Sequence, residues 1–328
     1  MPEKPRRSLL LELALQKAHH LPNGRFRNPW FHQEAPALHK ILKWKLSHLI
    51  LREKPRFPIL KPERRLLEEA NPFVCFLGHN SVFLRLGGAN ILFDPIFSHI
   101  GGLVKRHTPP PLLPEELPPV DYLVYSHAHR DHLDLTALKK IAGPKKIITP
   151  LGFSHYLATP DLVELDWFES FEESGVRFTA LPLQHWSKRK IADTNCSLWA
   201  GFMVEAEGLR IFLSGDTGYF FGFEEMGELF GPFDLALLPA GAFLPRRLMA
   251  PFHLSPEEAV RAAQELKARQ ATPIHWGAYK LGDEALDDPP KLFKKAAREK
   301  GLKPLILYPG EAALWHRGAF RPVEQIPS

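Results

Sequence analysis

The spacing of apolar residues changes near residue 73 of this 328-residue chain. Upstream, the stretch 38–54 places leucine and isoleucine at intervals of three and four residues, which predicts an amphipathic helix. Downstream, short apolar runs alternate with polar loops marked by glycine, a pattern typical of strands. We therefore predict a helical N-terminal extension over residues 1–72 that packs on a main domain over residues 73–328.

Seven apolar runs of the main domain predict strands or hairpins: 82–95, 121–127, 145–150, 176–186, 197–219, 233–243 and 272–279. Two helices are also predicted. The first covers 134–143 with Asp134 as its N-cap, and the second covers 255–271, where Ser255 and Glu258 form a capping box. This succession predicts an α/β (α+β) protein with two β-rich halves and helices outside them, in four layers.

Charge separates the two regions of the chain. Residues 1–72 carry a net charge of +8, whereas the remainder carries −3. Because the basic character is confined to the extension, we expect no nucleic-acid partner. Two interpretations of the basic stretch 38–54 stay open: a helix packed on the main domain, or peripheral contact with an anionic membrane.

The cysteine content and the length of the apolar runs bear on the location of the protein. Only Cys75 and Cys196 occur, and no apolar run reaches about 18 residues. We therefore expect a reducing compartment and no transmembrane span. The prediction is a cytoplasmic protein, with a peripheral position on the inner membrane surface as an alternative.

Candidate chemistry is concentrated in the segment YSHAHRDHLD, residues 125–134, which includes the end of a predicted strand. On an extended segment His127 and His129 point the same way, and a turn then brings Asp131 and His132 to a neighbouring position. One metal ion would need only three or four such groups, so their density favours two adjacent metal ions. A polar surface loop is the alternative.

Further candidate ligands stand at the ends of other predicted strands: His185, Asp216 and His275. Imidazole and carboxylate groups suit zinc, with manganese and iron as alternatives. Asp216 can bridge two cations because a carboxylate has two oxygens, and glycines 215 and 218 leave room for close approach. We therefore predict two divalent metal ions as cofactors.

The order of these motifs resembles the metallo-β-lactamase superfamily of binuclear hydrolases, whose fold is an αββα sandwich. Longer stretches resemble the N-acyl-phosphatidylethanolamine-hydrolysing phospholipase D family, among them GRFRNPW (24–30), SGDTGYF (214–220) and IHWGAYKL (274–281). The resemblance implies two metal sites that share Asp216: His127, His129 and His185 for one, and Asp131, His132 and His275 for the other.

The same resemblance implies a metal-dependent phosphodiesterase of the phospholipase D type, a phosphoric diester hydrolase. A water bridging two divalent cations would lose a proton and attack phosphorus, oriented by Asp131. The reaction would expel N-acylethanolamine and leave phosphatidic acid, which implies a phospholipid substrate. At position 130 this chain carries arginine where the familiar animal enzyme has a neutral residue.

Several supporting residues are weaker candidates. The resemblance places His253 beside the metals, where it would contact phosphate or deliver a proton to the leaving alcohol; a structural hydrogen bond is the alternative. Asp94 is predicted to fix a metal-binding histidine. Tyr219 and Arg246 are predicted to line the substrate pocket, although ordinary packing would also explain them.

Other functions compete with the phospholipase. The main alternative is a soluble metal-dependent hydrolase of a small substrate, such as a sugar-phosphate lactone. A nuclease is disfavoured because the basic segment is amphipathic and N-terminal, and a non-catalytic metal sensor because the ligand set is complete. A homodimer remains open.

Overall fold

The computed structural model describes residues 8–31, 56–102, 104–190 and 192–323. Within these ranges fifteen strands form two sheets. The bounds of the first eight strands are β1 Phe73–Gly78, β2 Ser81–Leu86, β3 Ala89–Phe93, β4 Tyr122–Val124, β5 Lys146–Pro150, β6 Leu162–Leu165, β7 Ser170–Glu173 and β8 Val176–Leu181. The others are β9 Gly201–Ala206, β10 Leu209–Leu213, β11 Leu235–Pro239, β12 Gln270–Ile274, β13 Lys303–Pro304, β14 Ala312–His316 and β15 Ala319–Pro322.

One sheet has eight strands in the order β15-β14-β1-β2-β3-β4-β5-β6, and the other has seven in the order β13-β12-β11-β10-β9-β8-β7. Strands β3 to β6 pair in parallel, as do β10 to β13. The helices of the described ranges are α1 Leu9–Leu15, α2 Arg64–Glu69, α3 Leu135–Leu138, α4 Gly222–Leu229, α5 Arg246–Met249, α6 Pro256–Glu265 and α7 Asp288–Glu299.

Alternation along the strands explains the layering. In β1, Val74 and Phe76 join the apolar core shared by the two sheets, whereas Phe73 and Cys75 face a second cluster beneath α2 and α3. Side chains of a strand point to opposite faces in turn, so a strand that is apolar at every position must be covered on both faces. Helices α6 and α7 cover the seven-stranded sheet. The predicted four-layer αββα sandwich is confirmed.

The hairpin predicted over 82–95 is confirmed, with Gly87 and Gly88 at its turn at φ values of 60° and 75° that suit glycine. The capping box is confirmed as well. Ser255 Oγ accepts from the backbone N–H of Glu258 at 3.2 Å, and the Glu258 carboxylate accepts from the backbone N–H of Ser255 at 2.8 Å.

The structure corrects the lengths of both predicted helices. Asp134 caps α3 as expected, but that helix ends at Leu138 and not at residue 143. Only Ile141 is buried in the five residues that follow, so there is little apolar surface to hold a further turn. Helix α6 ends at Glu265 because Lys267 takes a left-handed backbone conformation, and strand β12 then begins at Gln270.

The described part of the N-terminal extension packs into the main core. Leu10 and Phe26 are buried there, and helix α1 contacts helix α4. The amphipathic stretch 38–54 lies outside the described residues. Among the described residues, no helix is both long and apolar enough to cross a membrane.

Candidate metal centre

The predicted ligands follow strands whose carboxyl ends meet at one edge of the sandwich. The segment 125–134 follows β4 in one sheet, while Asp216 and His275 follow β10 and β12 in the other. His185 follows β8, the second strand along from β10. Loops at the carboxyl ends of parallel strands meet at the same edge, which explains how residues almost 150 positions apart converge.

Two four-membered groups of potential metal ligands result. In each group, one ligand atom from every member lies within 4.8 Å of the others. The first group consists of His127, His129, His185 and Asp216. The second group consists of His79, Asp131, His132 and His275. The structure therefore brings together all seven residues predicted as ligands and adds one.

Asp216 stands between the two groups. Its Oδ2 lies 4.0 Å from His127 Nε2 and 3.3 Å from His132 Nε2, and its Oδ1 lies 3.1 Å from His275 Nε2. A neighbouring glycine makes this approach feasible, because a Cβ at Gly215 would lie 2.4 Å from the Cβ of Ser126. The carboxylate therefore faces both groups, the position that a bridging ligand requires.

Several buried polar atoms between the two groups lack a hydrogen-bond partner among the described residues. His129 Nε2, His132 Nε2, His275 Nε2 and Asp216 Oδ1 are buried without a hydrogen bond. In the first group, His127 Nε2 and His129 Nδ1 lie 2.8 Å apart. A buried polar atom without a partner costs about 1–3 kcal/mol, so a cluster of them needs a common partner. Divalent cations that prefer nitrogen and oxygen ligands, such as zinc, fit this set.

Charge states in the first group suit metal binding. Burial lowers the pKa of His129 to about 4 and the pKa values of His127 and His185 well below the ordinary value. These imidazoles are therefore neutral at pH 7 and keep a lone pair for a metal ion. Burial would raise the pKa of Asp216, but the charges of His275 and His132 lower it well below the ordinary value, so this carboxyl is ionised.

The second group holds protons that a cation would displace. Burial opposes the charged form of His275, but Asp216 and Asp131 together raise its pKa to about 9. The same carboxylates raise the pKa of His132 well above its ordinary value. A metal ion bound there would replace these protons as the counter-charge, so binding should release protons.

Asp94 holds one predicted ligand in place. This fully buried carboxylate lies 2.7 Å from His132 Nδ1 through its Oδ2, which also accepts from Ser126 Oγ at 2.6 Å and Asn80 Nδ2 at 2.8 Å. Its Oδ1 accepts from the backbone N–H of Ser126 at 2.8 Å. These contacts leave His132 Nε2 directed at the metal centre, the arrangement expected around a metal-binding histidine.

Sequence reasoning missed His79. Its Nε2 lies 3.2 Å from Asp131 Oδ2, and burial lowers its pKa to about 3, so the neutral ring donates this hydrogen bond. The backbones of His79 and Trp276 bridge, and the N–H of His275 donates to the carbonyl of His79 at 2.7 Å. The available signal was its position after strand β1, since the other ligands also follow strands.

A segment of the N-terminal extension supports His185. The side-chain amide of Asn28 donates to the carbonyl of His185 at 2.7 Å, and His185 Nδ1 donates to the carbonyl of Phe252 at 3.1 Å. Phe31 in turn packs edge-to-face on Phe252. The ligand is thus held from both sides, and its Nε2 is left for the first group.

The structure places His253 near the metal centre, with its Nδ1 3.8 Å from Asp216 Oδ2. Arg246, which is predicted to line the pocket, bonds the carbonyl of His253 and the carboxylate of Glu258 through its guanidinium. Tyr219 is the other residue predicted to line the pocket. Its hydroxyl bonds Glu265 on helix α6.

A cavity of about 320 Å³ opens from the metal centre. Ligand-type residues of both groups line it together with His253. Much of the remaining lining is apolar: Trp186, Leu248, Met249, Phe252 and Leu281. Two cationic side chains, Arg130 and Lys188, also line the cavity.

A two-sheet sandwich with paired histidine and aspartate groups at one edge defines a class of metal-dependent hydrolases. The model of the Beta-lactamase superfamily domain matches residues 89–276, more than half of the chain. The chain belongs to this superfamily, as predicted, and is a metal-dependent hydrolase.

Particular relatives narrow the class. The chain is 37% identical over 235 residues to N-acyl-phosphatidylethanolamine-hydrolyzing phospholipase D 1 of Caenorhabditis elegans, and the match covers 65% of this chain and 66% of the worm protein. It is 32% identical over 244 residues to a UPF0173 metal-dependent hydrolase of Thermococcus onnurineus, covering 73% of this chain and 97% of that protein. The matched part thus spans just under two thirds of the worm protein.

A solved structure supports the fold. The isothiocyanate hydrolase from Delia radicum gut bacteria superposes with a TM-score of 0.59 at 20% identity, covering 74% of this chain and 98% of that one.

Proposed function

We propose that this chain is a phosphodiesterase that uses two divalent metal ions to hydrolyse phospholipid-type phosphodiesters, N-acyl-phosphatidylethanolamine among them. The observation that carries the proposal is the cavity, which joins both ligand groups to an apolar wall formed by residues such as Leu248 and Phe252. An apolar wall beside a polar reaction centre suits a substrate that combines a phosphate with hydrocarbon chains. The likeness to the worm phospholipase D supports the same substrate class.

The first ligand group, with His127, His129 and His185, would hold one cation, and Asp131, His132 and His275 would hold the other, with Asp216 shared. Zinc is the first candidate because the ligand atoms are imidazole nitrogens and carboxylate oxygens, while manganese and iron accept the same atoms. When bound, the two cations would polarise a phosphoryl oxygen and lower the pKa of a coordinated water.

The protein groups would position the reactants. Asp131, ionised and held by His79, would accept a hydrogen bond from the attacking water. Burial lowers the pKa of His253 to about 4, so its neutral ring would donate a hydrogen bond to a substrate oxygen. The water oxygen then joins phosphorus, the bond from phosphorus to the headgroup oxygen breaks, and the proton passes to the leaving alcohol. Phosphatidic acid and N-acylethanolamine are the products.

Metal analysis and a substrate panel test this proposal together. We expect about two metal equivalents per chain, loss of activity on chelation, and its return with zinc or manganese. N-acyl-phosphatidylethanolamine in neutral detergent micelles should release N-acylethanolamine, while Asp216→Asn should retain the fold and lose both metal and turnover. Turnover of a sugar-phosphate lactone without turnover of any diester would instead support the alternative of a small-substrate hydrolase.

We also propose that the stretch 38–54 brings the enzyme to its substrate at a membrane surface. The proposal is supported by its sequence, which combines an apolar stripe with Lys40, Lys43, Lys45, Arg52 and Lys54. Basic amphipathic segments of this kind bind anionic lipid surfaces by burying their apolar side.

A further inference from the structure

The cavity beside the metal centre is not uniformly apolar. Helix α5 contributes Leu248 and Met249, whereas the loop of the second ligand group contributes Arg130 and the loop after His185 contributes Lys188. Arg130 is exposed and Lys188 is half-buried, as expected for residues where the cavity opens to solvent. A substrate that enters the cavity therefore meets hydrocarbon from one element and positive charge from two loops.

Arg130 and Lys188 form no salt bridge with an acidic side chain of the described ranges. The two carboxylates that line the same cavity, Asp131 and Asp216, lie within ion-pair distance of histidines. The neighbouring Arg189 adds to the positive charge, and its guanidinium bonds the backbone carbonyls of Leu133 and Ala128. Its pKa is lowered by burial and by the proximity of Arg130. The cavity thus carries two cations, Arg130 and Lys188, that no salt bridge within the described part of the chain neutralises.

The side chain of Arg130 is held close to a neighbouring loop. A Cβ at Gly101, where φ is 56°, would lie 3.2 Å from Arg130 Cδ, so the stem of the arginine packs against this glycine. Such packing restrains a long side chain and reduces the entropy lost when its guanidinium binds an anion.

We propose that Arg130 and Lys188 form an anion subsite, which binds a second negative group of the substrate beside the scissile phosphodiester. The ligand class is a phosphodiester whose headgroup carries a further carboxylate or phosphate. Guanidinium and ammonium groups bind both anions through charge-assisted hydrogen bonds. This inference rests on the proposed phosphodiesterase function and adds the charge of the preferred headgroup to it.

A matched pair of lipids tests the subsite. N-acyl-phosphatidylserine differs from N-acyl-phosphatidylethanolamine by one carboxylate on the headgroup. Both are presented at low mole fraction in neutral detergent micelles, so that surface charge does not recruit the enzyme. We expect kcat/KM of the metal-loaded enzyme to be about fivefold higher for the serine lipid, the size that one partly exposed ion pair gives. The difference should appear in KM and shrink as salt is raised.

Three variants locate the effect. Arg130→Gln and Lys188→Gln should each reduce the preference, and the double variant should bring the ratio to about one while keeping turnover of the ethanolamine lipid. Lys190→Gln is the control, because this exposed lysine of the same loop does not line the cavity and should leave the ratio unchanged.

The outcomes separate this inference from the function on which it rests. Hydrolysis of both lipids at equal rates by the wild type, or a preference that survives in the double variant, would refute the subsite and leave the phosphodiesterase standing. A preference that falls equally in Lys190→Gln would assign it to the general field of the loop, and would also refute the subsite. Failure to hydrolyse either lipid would refute the proposed function and this inference with it.

Discussion

Replacement of Asp94 by asparagine should weaken metal binding at the second ligand group more than it weakens the fold. Asp94 Oδ2 faces three donors, on His132, Ser126 and Asn80, whereas Oδ1 faces only the backbone N–H of Ser126. The amide oxygen of asparagine should therefore take the Oδ2 position. Its NH₂ group would then face the N–H of Ser126, two donors 2.8 Å apart in the parent structure.

The expected magnitude follows from those contacts. One buried backbone N–H would lose its acceptor, which costs about 1–3 kcal/mol of unfolding free energy. Loss of the negative charge would also make His132 a poorer ligand, and such changes around metal-binding histidines lower metal affinity roughly 10–100-fold. The two effects are separable, because urea unfolding of the metal-free protein measures the first and competition with a zinc indicator measures the second.

Asp121→Asn provides the matched control. Asp121 Oδ2 also accepts a backbone N–H, that of Asn90 at 2.9 Å, but it lies before strand β4, at the opposite end from the metal centre. This variant likewise replaces a carboxylate that accepts a backbone N–H, and it should keep its zinc affinity. If Asp94→Asn bound zinc as tightly as the wild type, the orienting role of Asp94 would be refuted, whatever its stability.

Other perturbations give separate checks. His79→Phe should lower kcat roughly 10–100-fold, because it removes the hydrogen-bond donor to the carboxylate of Asp131. His79→Gln keeps a donor and should lower kcat less. An equal loss of kcat in both variants would contradict a hydrogen-bonding role for His79. Burial lowers the pKa of His19, so below pH 6.5 the unfolded state binds a proton that the folded state does not. The free energy of unfolding should therefore fall on acidification. His19→Gln should reduce the change of this free energy with pH by up to about 1.4 kcal/mol per pH unit. If urea unfolding at several pH values gave the same pH dependence for both proteins, His19 would not be its source. Changing Leu42, Leu46 and Leu49 to serine should reduce sedimentation with anionic vesicles while turnover in neutral micelles persists; unchanged sedimentation would argue for packing on the main domain.

The sequence predicted the metal centre well because its ligands carry local signals. Four of them fall within six residues, and the others each follow an apolar strand, so strand order alone brings them to one edge. No other candidate ligand stands close to His79 in the sequence. Its approach to Asp131 depends on the backbone bridge to Trp276, a contact between the ends of two strands that are far apart in sequence. Periodicity within one segment does not encode such a contact.

The contacts of the two predicted pocket residues could not be read from the sequence. Tyr219 lies three residues after Asp216, and Arg246 lies seven residues before His253. Both side chains reach helix α6, where Tyr219 bonds Glu265 and Arg246 bonds Glu258. Loop side chains have no fixed period, and their direction is decided by the charged partners that tertiary packing supplies.

The N-terminal segment shows how support for the site extends beyond the superfamily match, which begins at residue 89. The carboxylate of Asp166 forms hydrogen bonds with Lys17, His19 and His20. Lys17 Nζ lies 2.6 Å from Oδ2, and His19 Nε2 lies 2.6 Å from Oδ1. Farther along the same segment, Asn28 bonds the carbonyl of His185. A buried carboxylate with three hydrogen-bonding partners is a firm anchor, and loss of the Lys17 ammonium would leave its charge uncompensated. The segment is thereby fixed to the main domain at one point and to a metal ligand at another, so the precision of the first ligand group depends on residues that lie outside both ligand groups.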